Sequence, residues 1–129
     1  MNDNKNMKMY SVQELYDRLT QADECVWIEA KGEDDTSESL MESVCSFSNE
    51  PGLGGGYILL GIGEDKKSKG DRFVIEGVKD PDKKQLDIST QCASMFNMAV
   101  RPRIDVEQLD GKNILKIFVP ELPSQQKPL

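Results

Sequence analysis

One apolar segment, Tyr57 to Ile62, constrains what this 129-residue chain can fold into more than any other stretch. Its sequence, YILLGI, contains no charged residue, so a strand formed here needs cover on both faces, as a central strand of a sheet has. The preceding residues 37–49 carry apolar side chains at helical spacing, which predicts an amphipathic helix. Glycines 54–56 separate the two segments and predict a turn. We therefore expect a helix, a turn and then a central strand that is covered on both faces.

The rest of the chain alternates between helical and extended patterns. Helices are predicted at residues 11–20 and from Asp80-Pro81 to about residue 98, each with a capping signal at its start. Further strands are predicted at residues 25–30, 72–75, 104–109 and 113–119. Between the last two, Asp110-Gly111 is a hairpin-turn signal. About three helices and five strands in this order predict the α/β (α+β) class, as a two-layer sandwich that ends in a β-hairpin.

The length fits one domain, which we predict at residues 10–129 after a disordered, polar lead-in at residues 1–9. No apolar run approaches the roughly 18 residues of a membrane span, and the polar start does not match a signal peptide. Cys25, Cys45 and Cys92 lack the paired spacing of a zinc site or a disulfide framework. We therefore expect buried thiols, no membrane partner and a reducing, cytoplasmic environment.

Charge and composition exclude several kinds of function. The chain has 16 Lys+Arg against 23 Asp+Glu, a net charge of −7, which argues against a general nucleic-acid coat, because phosphate affinity comes mainly from Lys and Arg. Any nucleic-acid contact therefore needs a local basic patch. The sequence contains no histidine, which removes Ser-His and Cys-His catalysis and the common zinc sites.

The glycine-rich segment GLGGGYILLGIG is a candidate phosphate cradle, with close packing of the turn as the alternative. In dinucleotide-binding folds the glycines follow a strand and open a helix, whereas here a predicted helix comes first and a strand follows. There is also no Gly-Lys-[Ser/Thr], which argues against a P-loop ATPase. The packing interpretation is favoured.

A series of short motifs is shared with a known family. In chain order they are Glu24, Glu29 and Lys31; Phe47 and Asn49; Gly55, Gly56 and Tyr57; Gly61, Ile62 and Glu64; then Glu76-Gly77, Arg101-Pro102 and residues 114–128. Their order and spacing over about residues 22–128 resemble the Schlafen-type, Alba-like domain that is described as DNA-binding. The last residues, Lys127-Pro128-Leu129, match a family stretch that runs on into another strand, which leaves open that the domain belongs to a longer chain.

The resemblance implies an Alba-like fold and a nucleic-acid-binding domain of a transcriptional-regulator-like protein, with DNA or structured RNA as its partner. Alba-like sheets commonly pair, so a homodimer is expected. Two basic patches are the candidate phosphate contacts: Lys66, Lys67, Lys69 and Arg72 form the first, and Arg101 and Arg103 the second. No aromatic platform is expected beside them, since Trp27, Tyr57 and Phe73 fall inside predicted strands, and this disfavours base stacking.

A rival hypothesis is a metal-dependent endoribonuclease. In animal relatives that cut structured RNA, two glutamates and an aspartate act together, and the matching positions here are Glu24, Glu29 and Glu64, followed by Lys31. Carboxylate oxygens suit Mg²⁺ or Mn²⁺, and such ions activate water against a phosphodiester. Because the third position is Glu rather than Asp, Asp65 is an alternative ligand. The same residues also fit a solvated salt-bridge network, and a protein-interaction domain without nucleic-acid activity is the third hypothesis.

Overall fold

The computed structural model describes residues 10–21, 27–49, 54–64, 73–95 and 101–121, with the main chain alone at Glu64 and Met95. The elements are α1 (Val12–Gln21), β1 (Ile28–Lys31), α2 (Ser37–Asn49), β2 (Gly56–Leu60), β3 (Ile62–Glu64), β4 (Phe73–Ile75), α3 (Pro81–Met95), β5 (Arg103–Leu109) and β6 (Lys112–Val119). The predicted α+β class and the terminal hairpin are confirmed. The predicted lead-in at residues 1–9 and the end of the third helix lie outside the described residues. In the ranges above, no helix is both long and apolar enough to cross a membrane.

The main sheet has four strands in the order β1-β2-β6-β5, and β3 and β4 form a second sheet. Strand β1 pairs with β2 in parallel, whereas β2–β6 and β5–β6 are antiparallel. All five residues of β2 are buried, because it has a hydrogen-bonded neighbour on each side and packed elements on each face. The prediction that this apolar segment supplies a central strand is confirmed.

Alternate residues of the central strands face two apolar clusters. Ile58 and Leu60 pack with α2, α3 and alternate residues of β6, and we call this side the α2/α3 face. Tyr57 and Leu59 pack with α1, β3 and β4 on the opposite side, the α1 face. The helices and the small sheet thus supply the cover that the apolar segment requires.

The predicted strand from Tyr57 to Ile62 is interrupted at Gly61, so the described residues contain six strands rather than five. Gly61 has a φ of +116°, and a Cβ there would lie 2.9 Å from Cδ1 of Ile114. Only glycine combines this backbone with so close a neighbour. The chain therefore leaves the main sheet at this point, and Ile62 begins β3, which pairs with β4.

The two described cysteines, Cys45 and Cys92, are free thiols, but Cys45 is only half-buried, so the expectation of buried thiols fits Cys92 and not Cys45. Cys92 is 2% exposed in the core, and this burial raises its pKa to about 11. A thiol with so high a pKa behaves as a small apolar side chain, as predicted. Cys25 lies outside the described residues.

An ion pair between a buried lysine and a half-buried glutamate joins the start of α1 to the terminal hairpin. Lys116 is 4% exposed, and its Nζ lies 2.7 Å from Oε2 of Glu107 and 2.7 Å from the carbonyl oxygen of Tyr10. The other oxygen of Glu107 accepts a hydrogen bond of 2.9 Å from the Val12 N–H. Each charged group in this set therefore has a partner, which limits the penalty of removing the Lys116 charge from water.

This arrangement predicts a specific pH dependence. Burial alone would raise the pKa of Glu107, but the hydrogen bonds from Lys116 and Val12 outweigh it and lower the pKa below its ordinary value. A lowered pKa in the folded state contributes stability that is present above the unfolded-state pKa and is lost as the pH falls through the folded value. Wild type should therefore be more stable than Glu107→Gln at pH 7, with the difference shrinking below about pH 4.3. The urea midpoints of both proteins across this pH range measure the difference in stability. A difference that does not change with pH would contradict the prediction.

Candidate functional site

A cleft of about 340 Å³ lies at the end of β1, between the β1–α2 connection and β3. Its lining residues are Glu29, Ala30, Lys31, Gly32, Asp34, Asp35, Ile62, Gly63 and Glu76. Four of them are carboxylates and one is a lysine, so we call it the acidic cleft. A cluster of this composition favours a cation or a cationic group over an anion.

Glu29 and Lys31 project from β1 on the same side, as their two-residue spacing predicts. They pair in parallel register with Ile58 and Leu60, which places both on the α2/α3 face. Nζ of Lys31 lies 3.2 Å from Oε2 of Glu29 and 2.6 Å from Oγ of Ser39 at the start of α2. The Lys31 side chain is 12% exposed and that of Glu29 is 41% exposed. The lysine is thus held in place, while the Glu29 carboxylate remains open to solvent.

Glu76 is a cleft residue that the sequence did not indicate beyond its place among the family motifs. Its side chain packs against two glycines: a Cβ at Gly63 would lie 2.8 Å from Cδ of Glu76, and a Cβ at Gly32 would lie 3.2 Å from Oε1. Close approach of this kind needs the small residues on both sides. The sequence does contain a signal for this contact: Glu76 directly follows β4, and the partner strand β3 contains Gly63. Only the pairing of β3 with β4 shows that the two residues meet.

The structure brings together only part of the predicted carboxylate set. Glu29 lines the acidic cleft, and the main chain of Glu64 follows Gly63, which also lines it. Glu24, Asp65 and the side chain of Glu64 lie outside the described residues. Within the described part of the chain, no three Asp, Glu, Cys or His residues are placed to hold a metal ion. Glu29 offers oxygens that suit Mg²⁺ or Mn²⁺, but the Lys31 ammonium already pairs with them, so the described residues fit such an ion only in part.

Of the two predicted basic patches, the structure describes the second. Lys66, Lys67, Lys69 and Arg72 lie outside the described residues. Arg101 is exposed just before β5. Arg103 is the first residue of β5, with a side chain that is 63% exposed and Nε 3.2 Å from Oδ2 of Asp105. Both arginines therefore stand at the start of an edge strand of the main sheet.

Four aromatic residues, Tyr10, Trp27, Tyr57 and Phe118, meet at one end of the α1 face, and we call them the aromatic strip. Ring centroids lie 5.5 Å apart for Tyr10–Trp27, 6.2 Å for Trp27–Tyr57 and 5.0 Å for Tyr57–Phe118. Burial raises the pKa of Tyr57, offset in part by a hydrogen bond from the main chain of Tyr10. Trp27, which the sequence predicts inside a strand, lies just before β1.

In the described part of the glycine-rich segment, Gly55 and Gly56 pack closely against neighbouring residues. The Gly54 N–H donates a hydrogen bond of 2.8 Å to Oε1 of Glu121. A Cβ at Gly56 would collide with the ring of Phe47, and one at Gly55 would collide with the end of β6. These contacts support the packing interpretation, because a protein carboxylate takes the N–H that a phosphate would need.

Fold and site together define an α+β domain with a mixed main sheet, an acidic cleft at one strand end and exposed arginines on an edge strand. The chain belongs to the Schlafen, AlbA_2 family, whose model matches residues 24–128. The resemblance seen in the sequence motifs is confirmed.

Two solved structures are similar to this chain. One is the N-terminal domain of a protein from Nitrosomonas europaea that is named as related to the ATP-dependent DNA helicase RecG. It is 45% identical with a TM-score of 0.84, over 94% of this chain and 80% of that chain. The other is the DIP2311 protein from Corynebacterium diphtheriae, 21% identical with a TM-score of 0.50, over 77% of this chain and 22% of that chain. At that identity it shows the fold alone. No curated protein matches this chain.

Proposed function

We propose that this domain binds nucleic acid, as part of a transcriptional-regulator-like protein, and contacts phosphates through Arg101 and Arg103. The exposed side chains of these two residues at the start of β5 are the observation that carries the proposal. Family membership and the similarity to a RecG-related domain support it. The first basic patch, Lys66, Lys67, Lys69 and Arg72, is proposed to contribute in the same way.

Charge decides how such binding behaves. On a chain with a net charge of −7, most of the surface repels a phosphate backbone, so contact is confined to local basic patches. Each phosphate contact on B-DNA contributes about 0.9 to the slope of log K against log salt. Binding should therefore be weak at physiological salt and fall steeply as salt rises.

A matched pair of double variants tests this. Arg101→Ala with Arg103→Ala should lower the salt slope for duplex DNA by about two units, as measured by fluorescence anisotropy. Lys79→Ala with Lys83→Ala removes the same charge from two exposed positions, one just before α3 and one in its first turn, and should leave the slope unchanged. Equal losses in the two proteins would show a general charge effect and contradict the proposal.

Replacement of Asp105 should increase the affinity for DNA. A gain in affinity cannot result from unfolding of the variant. Its carboxylate pairs with Arg103 at 3.2 Å and competes with a phosphate for that side chain. Asp105→Asn should tighten DNA binding, and the gain should disappear when Arg103 is also replaced by Ala. Weaker binding in the single variant would place the phosphate contacts elsewhere.

The homodimer is also proposed rather than observed. Strand β5 lies at the edge of the main sheet as described and exposes Val106 to 39%. Pairing of two such edges would bring the two copies of Arg103 onto one surface. Light scattering during size-exclusion chromatography measures the mass, and a monomer at high concentration would rule out this arrangement.

A metal-dependent endoribonuclease remains the second candidate, and the acidic cleft favours it. Mg²⁺ or Mn²⁺ held by Glu24, Glu29 and Glu64, with Asp65 as an alternative ligand, would supply an activated water for phosphodiester hydrolysis. Lys31 would hold the Glu29 side chain in place through the contact seen here.

Thermal melts separate this candidate from pure binding. If the site holds a metal, millimolar Mn²⁺ should raise the melting temperature of wild type, because a ligand that binds only the folded state stabilises it. Glu29→Gln should abolish the rise, whereas Glu42→Gln, an exposed position on α2, should retain it. Two results together would exclude the metal-dependent nuclease. The first is no rise in the melting temperature of wild type, and the second is RNA cleavage that is either absent or unaffected by EDTA. Absence of both binding and cleavage would leave the protein-interaction domain.

A further inference from the structure

We propose that the aromatic strip, with Arg18 at one end and Arg103 at the other, binds the unpaired bases of single-stranded nucleic acid. The inference rests on the proposed function and names the form of nucleic acid that it takes. It reverses the expectation, drawn from predicted strands, that base stacking is disfavoured.

The sheet register builds the strip. Arg103 on β5 pairs with Phe118 on β6, and Phe118 pairs with Tyr57 on β2. Directly opposite residues of antiparallel strands share a face, so all three lie on the α1 face. Tyr10 and Trp27 continue the row beyond Tyr57, with centroids 6.1 Å and 6.2 Å from its ring. Cation and aromatic groups thus form one row across the end of the sheet.

The exposure of these rings fits contact with a ligand rather than a closed core. Tyr57 is 4% exposed and forms the floor, while Tyr10, Trp27 and Phe118 are only half-buried. Half-buried aromatic rings fixed by neighbours offer surface for stacking at little entropic cost, and every base has a π-face that can use it.

Arg18 is positioned by the strip itself. Its guanidinium carbon lies 4.9 Å from the Tyr10 ring centroid and 5.7 Å from that of Trp27, within the range of cation–π attraction. The residue is otherwise exposed on α1. A preplaced guanidinium binds a phosphate or stacks on a base with less loss of freedom than a mobile one.

Charge complementarity points to a polyanion with flat apolar groups. The two arginines flank aromatic surface, whereas the chain as a whole is strongly acidic. A single strand places phosphates and bases along one path and so matches both features together. In a duplex the bases are stacked inside and cannot reach the rings.

Trp27 is the only tryptophan in the chain, which makes its fluorescence a direct report on the strip. Titration with a short oligo-dT strand should quench this fluorescence, and a duplex of the same length should quench it less. Arg18→Gln should weaken binding and lower the salt slope by about 0.7, the value of one contact on a single strand. Lys83→Gln removes the same charge from α3 and should change neither quantity.

A second pair of variants tests the rings by anisotropy with a labelled strand. Trp27→Leu should weaken binding by about 5- to 160-fold, the range expected for loss of one stacked base. Phe73→Leu, an aromatic replacement on β4 outside the strip, should have no such effect, and thermal melts check that both variants fold.

The outcomes separate the inference from the proposed function. Binding seen by anisotropy with unchanged Trp27 fluorescence, and with Arg18→Gln equal to Lys83→Gln, would overturn the aromatic strip while the nucleic-acid function stands. Tighter binding of the duplex than of the single strand would overturn it as well. No binding of either form would overturn both.

Discussion

Gly55→Ala should lower the free energy of unfolding by about 2–5 kcal/mol in total. Gly55 has a φ of +96°, and this left-handed backbone costs an L-residue about 1–2 kcal/mol. A Cβ would also collide with the carbonyl oxygen of Val119 and lie 2.9 Å from Cα of Pro120. These neighbours are main-chain atoms at the end of β6, which cannot rotate away, and overpacking adds about 1–3 kcal/mol.

The neighbouring glycine supplies the control. Gly54 has a similar φ of +80°, but a Cβ there would meet no atom within 4 Å. Gly54→Ala should therefore lose only the conformational part, about 1–2 kcal/mol. Urea denaturation of the two variants measures the difference in their free energies of unfolding. Equal losses of stability would show that the close neighbours of Gly55 do not contribute to its requirement for glycine.

Leu59→Ala should lower the free energy of unfolding by about 2–5 kcal/mol. Leu59 and Ile62, both predicted from the sequence to be buried, are 0% exposed. Truncation of Leu59 loses the transfer free energy of its removed atoms and leaves a cavity that the surrounding strands cannot close fully. The measurement is the urea midpoint at unchanged m-value.

Leu86 is the matched control, since the same substitution occurs at a side chain that is 66% exposed on α3. Leu86→Ala should change stability by no more than about 0.5 kcal/mol. If Leu59→Ala and Leu86→Ala have the same urea midpoint, β2 is not the centre of the core.

Glu29 of the acidic cleft and Arg103 of the proposed nucleic-acid contact lie on opposite faces of the main sheet, so variants of these two residues can be tested separately. Glu29 stands in register with Ile58 on the α2/α3 face, whereas Arg103 stands in register with Phe118 on the α1 face. Variants of Glu29 and Arg103 share no described contact. Their effects on cleavage and on binding should therefore be independent and additive.

Local patterns in the sequence determined much of the fold. The helix predicted at residues 37–49 is α2 with the same limits, and Asp110-Gly111 is the turn between β5 and β6. The spacing of Glu29 and Lys31 placed them on one face before the register was known. Such features depend on periodicity and on turn chemistry, which neighbouring residues specify by themselves.

The tertiary structure alone decided what depends on pairing between distant segments. Gly61 breaks the strand through its φ of +116°, where Ile114 leaves little room for a Cβ. Lys116 pairs with Glu107 and also donates a hydrogen bond to the carbonyl oxygen of Tyr10, which is 106 positions away. Glu76 enters the acidic cleft through the pairing of β3 with β4. The aromatic strip exists because the register sets Phe118 beside Tyr57, and the rings of Tyr10 and Trp27 pack near that of Tyr57. No local pattern encodes these contacts, because a one-residue change of register would send each side chain to the other face.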